Sequence, residues 1–270
     1  MNEDIHVSVA NELYKERHVM DFTSKVVIVT GVSSEIGVAI AKLLALHNAV
    51  LSLVDSDEDK LKEVAEFCAA AKGIIPLIVK ADLTQDKSCE EVVHRTVGTF
   101  GRLDVLINCA GKIVYSSLFE ENIDSFDELF INNLRVPFKL AHLSLPHLVK
   151  TKGNVVILRG AQKLARNGFL GYSIMNSAIE KFTQVAAVDV ASTGVRVNSV
   201  CVALTNSLSN EVNIVDEDKQ FVNQMIIDNH NVNVVQPEEV AKMIAFVASG
   251  LCPNVNGANI FLDGGANFKF

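Results

Sequence analysis

The sequence predicts an α/β fold, a doubly wound parallel sheet of about seven strands with helices on both faces, built as one domain. Three observations carry that expectation. Short apolar runs alternate with amphipathic segments along most of the 270 residues. The runs are rich in β-branched residues and lack polar alternation, the mark of strands buried on both faces. A glycine-bearing turn joins the first run to a helical pattern. A repeated β-α order of this kind places helices on both faces of a parallel sheet.

The elements follow in order. Residues 1–24 are polar and read as an extension ahead of a domain spanning 25–270. The strand runs are Val26–Val29, Ala49–Val54, Ile74–Val79, Val105–Ile107, Val155–Leu158, Val195–Val200 and Ile260–Leu262. A helix over Val38–Leu46 follows the first. Asp57–Ala71 opens on acidic residues, as helix starts do. Pro237-Glu238-Glu239 starts another, with proline early and carboxylates in the first turn. The result is a Rossmann-type sheet.

Composition excludes several classes. The formal net charge is -8 and the pI about 5.4. With no Lys/Arg cluster, neither nucleic acid nor an anionic membrane surface is an expected partner. The five cysteines, 68, 89, 109, 201 and 252, show no metal-ligand spacing. They read as reduced thiols of a cytoplasmic protein, and no metal is expected. No secretory signal opens the chain, and no apolar run of about 18 residues could span a membrane.

One end of the predicted sheet carries a nucleotide-binding pattern. Thr30-Gly31-Val32-Ser33-Ser34-Glu35-Ile36-Gly37 leads from strand to helix. Such a turn sets backbone N–H groups and a helix N-terminus beside a pyrophosphate. Asp55 ends the second run, where a carboxylate can take ribose hydroxyls. Ala81-Asp82-Leu83 follows the third run, and Asn108-Cys109-Ala110-Gly111 the fourth.

Together these motifs resemble the short-chain dehydrogenase/reductase family, from about Lys25 to Ala266, including Asp263-Gly264-Gly265. The resemblance implies that Gly31, Ser33, Ser34, Ile36 and Gly37 shape the phosphate turn. It implies that Asp82 and Leu83 contact the adenine, and that Asn108, Ala110 and Gly111 form the next wall. Asp55 beside Ser56 implies NAD rather than NADP, because a 2′-phosphate there meets a carboxylate. One departure lies in the turn: Glu35 replaces the middle glycine, which is expected to weaken NAD binding without abolishing it.

The catalytic end departs further. The family uses Asn, Ser, Tyr and Lys. By the resemblance, Asn133 in Ile131-Asn132-Asn133-Leu134-Arg135 is the asparagine that supports a water-linked proton path; its alternative role is to satisfy backbone groups at a helix kink. Tyr172 in Gly171-Tyr172-Ser173-Ile174-Met175-Asn176 is the general acid/base. The lysine position, four residues on and on the same helical face, is Asn176. Lys181 cannot substitute, since nine residues at 100° each turn it to the opposite face. The serine falls on Arg159 counting back from Tyr172, and on Gly160 counting forward from Gly153. Neither is a serine. The Pro-Gly expected beside the nicotinamide is Val202-Ala203, and by the resemblance Ser207 takes the place of a later threonine that contacts the cofactor.

A free tyrosine ionises near pH 10, so about one in a thousand is phenolate at neutral pH. A neighbouring cation corrects this in the family; Asn176 cannot. Loss of such a general acid/base costs about 10²–10⁴ in rate, and loss of an oxyanion-type donor about 10²–10³. Three functions remain open. The first is a catalytically impaired family member acting as a nucleotide-binding or regulatory subunit. The second is an active NAD-dependent alcohol/carbonyl oxidoreductase using Tyr172 with Arg159. The third is a structural protein without cofactor. Arg159 could instead fill a disused pocket or bind a carboxylate such as Glu35. The substrate is unknown. The segment Leu204–Val235 is expected to cover the pocket, with Phe221, Met225, Ile226 and Ile227 inward. The resemblance also implies a homo-dimer or homo-tetramer, paired through the helices containing Pro137–Val149 and Tyr172–Ala191 and the terminal strand.

Overall fold

The computed structural model describes residues 20–160, 167–202 and 235–265. Its strands are β1 (Val26–Thr30), β2 (Val50–Asp55), β3 (Leu77–Lys80), β4 (Val105–Asn108), β5 (Asn154–Gly160), β6 (Arg196–Val202) and β7 (Asn259–Leu262). They form one parallel sheet in the order β3-β2-β1-β4-β5-β6-β7. The helices are α1 (Glu35–Leu46), α2 (Glu58–Lys72), α3 (Asp86–Phe100), α4 (Asp124–Phe130), α5 (Val136–Thr151), α6 (Leu170–Val190) and α7 (Pro237–Ala248). A wide π-type turn, Ile131–Arg135, joins α4 to α5.

Side chains alternate across each strand with period two, so one sheet feeds two cores. Val27, Val29, Leu51 and Val156 pack with Ile40, Leu44, Leu61 and Ile244. Val26, Ile28, Val155 and Ile157 pack with Val92, Leu140, Leu148 and Ile179 on the other face. Phe22, inside the stretch read as an extension, belongs to the first core, and its N–H donates to the His47 carbonyl at 2.9 Å.

The third strand begins at Leu77, later than the apolar run over Ile74–Val79 suggests. Pro76 lacks an N–H and holds its predecessor out of the ladder, leaving Ile75 exposed. Helix ends follow their sequence cues. Asp57 caps α2 through the N–H groups of Asp59 and Lys60, and Gly73 ends it at φ 73°. Gln236 and Glu239 form a reciprocal capping box on α7.

A buried charge cluster locks β1 to the start of β4. Asp104 accepts from Val26 N–H at 3.0 Å and from Arg102 Nε and Nη2 at 2.8 and 2.7 Å, with Lys25 Nζ at 3.3 Å. Burial pushes its carboxyl upward. The Arg102 guanidinium, the Val26 N–H and Lys25 outweigh that and hold it below its ordinary value.

Strand order reverses at β1, which lies between β2 and β4. In open α/β sheets that switch point, at the carboxyl ends of the strands, is where ligands bind. The turn from Gly31 to Gly37, Asp55 and Asn108 all lie at or directly after those strand ends.

Candidate functional site

The phosphate-type turn is shaped by backbone packing. Gly31 has φ +73°, and a Cβ there would lie 2.7 Å from Ala110 N. A Cβ on Gly37 would overlap the Gly31 carbonyl oxygen. Ser34 closes the turn: its Oγ donates to Gly31 O at 2.9 Å and accepts from Gly37 N–H at 3.0 Å, capping α1. Thr30 Oγ1 accepts from Cys109 and Ala110 N–H, both at 3.2 Å, tying the turn to the wall after β4.

Asp55, 8% exposed, accepts from Ser33 N–H at 2.9 Å, Ser56 N–H at 2.8 Å and Asp57 N–H at 3.1 Å. Its carboxylate is thus fixed beside the turn. Glu35 is exposed at the first residue of α1. Asp82 accepts from the Thr84 hydroxyl at 2.7 Å and N–H at 3.0 Å, which hold its carboxyl below the ordinary value. Leu83 is half-buried beside it. Asn108 donates to Pro137 O at 3.4 Å, while its buried Oδ1 has no hydrogen-bond partner among the described residues.

A cleft of about 500 Å³ joins both ends of the site. Ser33, Ser34 and Ile36 line one end, and Ala110, Gly111 and Lys112 a wall. Asn133, Arg159, Gly160, Tyr172, Asn176 and Val202 line the rest. Gly31, Gly37, Asp55, Asp82, Leu83 and Asn108 stand behind this lining. Ala203, Ser207, Phe221, Met225, Ile226 and Ile227 lie outside the described residues.

Asn133 sits in the wide turn between α4 and α5. Its Oδ1 accepts Lys112 N–H at 2.8 Å, and its Nδ2 donates to Lys112 O at 2.7 Å. π-type turns recur at functional sites because the extra residue re-aims a side chain. Lys112 itself, unnoticed in the sequence, projects its amine to Glu128 at 2.6 Å, and both residues line the cleft. The available signal was its place directly after Asn108-Cys109-Ala110-Gly111.

Arg159 and Gly160, the two candidate serine positions, take different places at the end of β5. Neighbouring side chains on β5 point to opposite faces, so Arg159 and Gly160 cannot both address Tyr172. A Cβ on Gly160 would overlap the Tyr172 hydroxyl. Gly160 therefore stands at the tyrosine's tip. Arg159 is directed elsewhere: Nη2 meets Glu180 Oε2 at 3.2 Å, Nε donates to Ser199 Oγ and Nη1 to Gly160 O, both at 3.4 Å. Its guanidinium lies 5.4 Å from the Phe261 ring centroid, and its side chain is 1% exposed. The carboxylate that Arg159 binds is Glu180 on α6, a correction to the expectation of Glu35. Twenty-one residues separate the pair, so no local pattern points to it.

Asn176 braces the helix against the strand end. Its Oδ1 accepts Gly160 N–H at 2.9 Å and its Nδ2 donates to Tyr172 O at 3.0 Å. It is 5% exposed. Lys181 is exposed and donates to Gln184 at 3.0 Å, turned away as helix geometry requires.

A capped helix N-terminus at the switch point, a fixed carboxylate at the end of β2 and a tyrosine over the end of β5 mark a Rossmann-type protein with the fold of the oxidoreductase class. The comparisons narrow the class. The family described as Enoyl-(Acyl carrier protein) reductase matches residues 31–267. Meso-2,3-butanediol dehydrogenase of Serratia marcescens is 32% identical over 253 residues, covering 92% of this chain and 96% of that protein. An uncharacterized oxidoreductase of Thermotoga maritima is 31% identical over 255 residues, covering 92% and 99%. A Caenorhabditis elegans short-chain dehydrogenase/reductase of unknown function, solved with cofactor, superposes with a TM-score of 0.84 at 28% identity, covering 92% and 97%. The chain belongs to the short-chain dehydrogenase/reductase family.

Among the described residues no helix is long and apolar enough to cross a membrane. No group of three His, Cys, Asp or Glu side chains there could hold a metal ion. No disulfide joins two cysteines among the described residues.

Proposed function

We propose that this protein binds a nicotinamide dinucleotide and transfers hydride weakly or not at all, serving as a binding or regulatory subunit. The observation that carries the reading is Asn176. It occupies the lysine position, bears no charge and spends both polar atoms on the backbone of Gly160 and Tyr172. Gly160 at the tyrosine's tip offers no hydroxyl to a substrate carbonyl. Arg159, the cation of the active-enzyme alternative, is neutralised by Glu180.

The residues at the other end fit a dinucleotide. The turn is packed for close backbone approach, and Asp55 is held where ribose hydroxyls would reach it. Its charge favours NAD over NADP. When bound, the dinucleotide supplies a hydride acceptor or donor. This chain's residues hold its ribose at Asp55 and its phosphates at the N-terminus of α1.

Calorimetric titration with NAD and NADH, followed by turnover assays on a panel of carbonyls and alcohols, tests the reading. Micromolar binding with negligible turnover is the expected result. Turnover on the order of 1 s⁻¹ or faster would sink the impaired-enzyme reading, and no binding would favour a structural protein without cofactor.

A further inference from the structure

The described cleft lining holds two permanent cations, Arg159 and Lys112. Arg159 is buried and fixed by Glu180, Ser199 and the Gly160 carbonyl. Lys112 is built differently. Its root is rigid, because Asn133 takes both its N–H and its carbonyl. Its tip is free to move: the Lys112 side chain is 53% exposed and that of Glu128 41%. An exposed pair of that kind contributes little and opens readily.

Its placement points to the phosphates. Gly31 of the turn packs against Ala110, two residues before Lys112. Two residues span at most about 7 Å, within the reach of a flexible four-carbon stem. Lys112 also lies near enough to Asp82 to help hold that carboxyl low, after the larger effect of Thr84. Position 176 has lost its cation, and Glu35 adds a negative charge to the α1 N-terminus. Among the described residues, a dianionic pyrophosphate entering this cleft meets one cation that can turn to it.

We infer that Lys112 is the ligand-facing cation of this cleft, its ammonium exchanging Glu128 for the phosphate groups of the bound dinucleotide. The inference rests on the dinucleotide-binding reading. It makes Glu128 a competitor, so the two residues act with opposite sign. A lysine ammonium serves phosphate as a compact point charge, and the contact is charge-assisted.

The test is calorimetry with ADP-ribose and with adenosine, on wild type, Lys112→Gln, Lys112→Arg and Glu128→Gln, each checked by thermal melting. Lys112→Gln keeps the backbone bonds to Asn133 and is expected to weaken ADP-ribose about tenfold, a change of about 1.4 kcal/mol. It should also flatten the salt dependence. Lys112→Arg should retain binding. Glu128→Gln should tighten ADP-ribose, by about threefold or more. Adenosine, lacking phosphate, should respond to none of them. Equal affinity for ADP-ribose in Lys112→Gln, Glu128→Gln and wild type would overturn the inference and leave dinucleotide binding intact. Equal losses for ADP-ribose and adenosine would overturn it too. A wild type that binds neither NAD nor ADP-ribose would overturn the dinucleotide reading itself, and the inference with it.

Discussion

The side chain of Asn176 holds the end of β5 through Gly160: Asn176 Oδ1 accepts Gly160 N–H at 2.9 Å while its Nδ2 holds Tyr172 O on its own helix. One neutral amide thus joins the strand end to the helix that carries the tyrosine. The family's lysine would bring charge to this position. Here the same position satisfies a backbone donor that burial would otherwise leave costly.

Asn176→Lys is therefore expected to destabilise. It removes two hydrogen bonds and leaves Gly160 N–H without its acceptor, at about 1–3 kcal/mol. Turnover should stay near the wild-type level, because no hydroxyl stands at 160. Denaturant melts and steady-state rates check both statements. An increase in rate of a hundredfold from this single change would refute the account of Gly160.

Gly160→Ser is expected to cost about 1–3 kcal/mol as an overpacking change, since its Cβ would overlap the Tyr172 hydroxyl. Joined to Asn176→Lys, it should give hydride transfer that neither single change gives, a strongly non-additive gain. A serine at 159 should do nothing for turnover, because that side chain leaves β5 on the other face. Rates of the three single and two double variants decide the matter.

Arg159→Met is expected to lower stability by about 1–3 kcal/mol through loss of the charged hydrogen bonds to Glu180 and Ser199. Glu180 is 28% exposed and can return to water, which keeps the loss below that of a fully buried pair. If Arg159 were the working cation of an active site, the same variant would instead abolish turnover by about 10² or more.

NAD should bind more tightly than NADP. Asp55→Asn retains an acceptor for Ser33 N–H and removes the charge, so the preference should shrink by about tenfold or more, on the scale of one charge-assisted contact. Fluorescence titration of both nucleotides against both proteins measures it. Tighter NADP binding by wild type would overturn the role of this carboxylate.

A homo-oligomer is expected through α5 and α6. Phe138, Ile174, Val185 and Val188 are exposed on these helices, Val188 at 76%. Ile174, Val185 and Val188 recur at helical spacing on one face of α6, and Phe138 meets Phe182 at 5.5 Å between ring centroids. Val190 faces the core instead, at 8% exposure. Val188→Asp should shift sedimentation at micromolar concentration from oligomer to monomer. A wild type already monomeric there would refute the expectation.

Asp104 sets an acid limit on stability. Its folded carboxyl titrates below its unfolded value of 3.8. The stabilisation is therefore present above about pH 4 and is lost as pH falls through the depressed folded value. Asp104→Asn should destabilise at pH 7, and the gap to wild type should narrow by pH 3. Urea melts at the two pH values measure it; a gap that widens in acid would contradict the sign.

The fold was legible because strands buried on both faces leave unbroken apolar runs, and because turn residues punctuate them. Two places misled: β3, where Ile74 and Ile75 extend the apolar run before Pro76, and Phe22, which packs into the core from the stretch read as an extension. The phosphate turn and Asp55 were legible because their geometry is local. The remainder depended on partners distant in sequence. Glu180 reaches Arg159 across the gap between α6 and β5, and Glu128 reaches Lys112 from α4. Arg159 and Gly160 differ by a single residue of loop length, which spacing leaves open, and the approach of Gly160 to the Tyr172 hydroxyl is visible only in three dimensions.

Gly31 and Gly37 press backbone against backbone, and neither could carry a methyl group whether or not a nucleotide ever entered the cleft. They are relics of architecture rather than records of chemistry. A chain that had abandoned its ligand would be obliged to keep both. The proposed function turns instead on places where the scaffold tolerates alternatives, Asp55, Lys112, Gly160 and Asn176, and those four positions offer a way to sort its relatives by occupation rather than by ancestry.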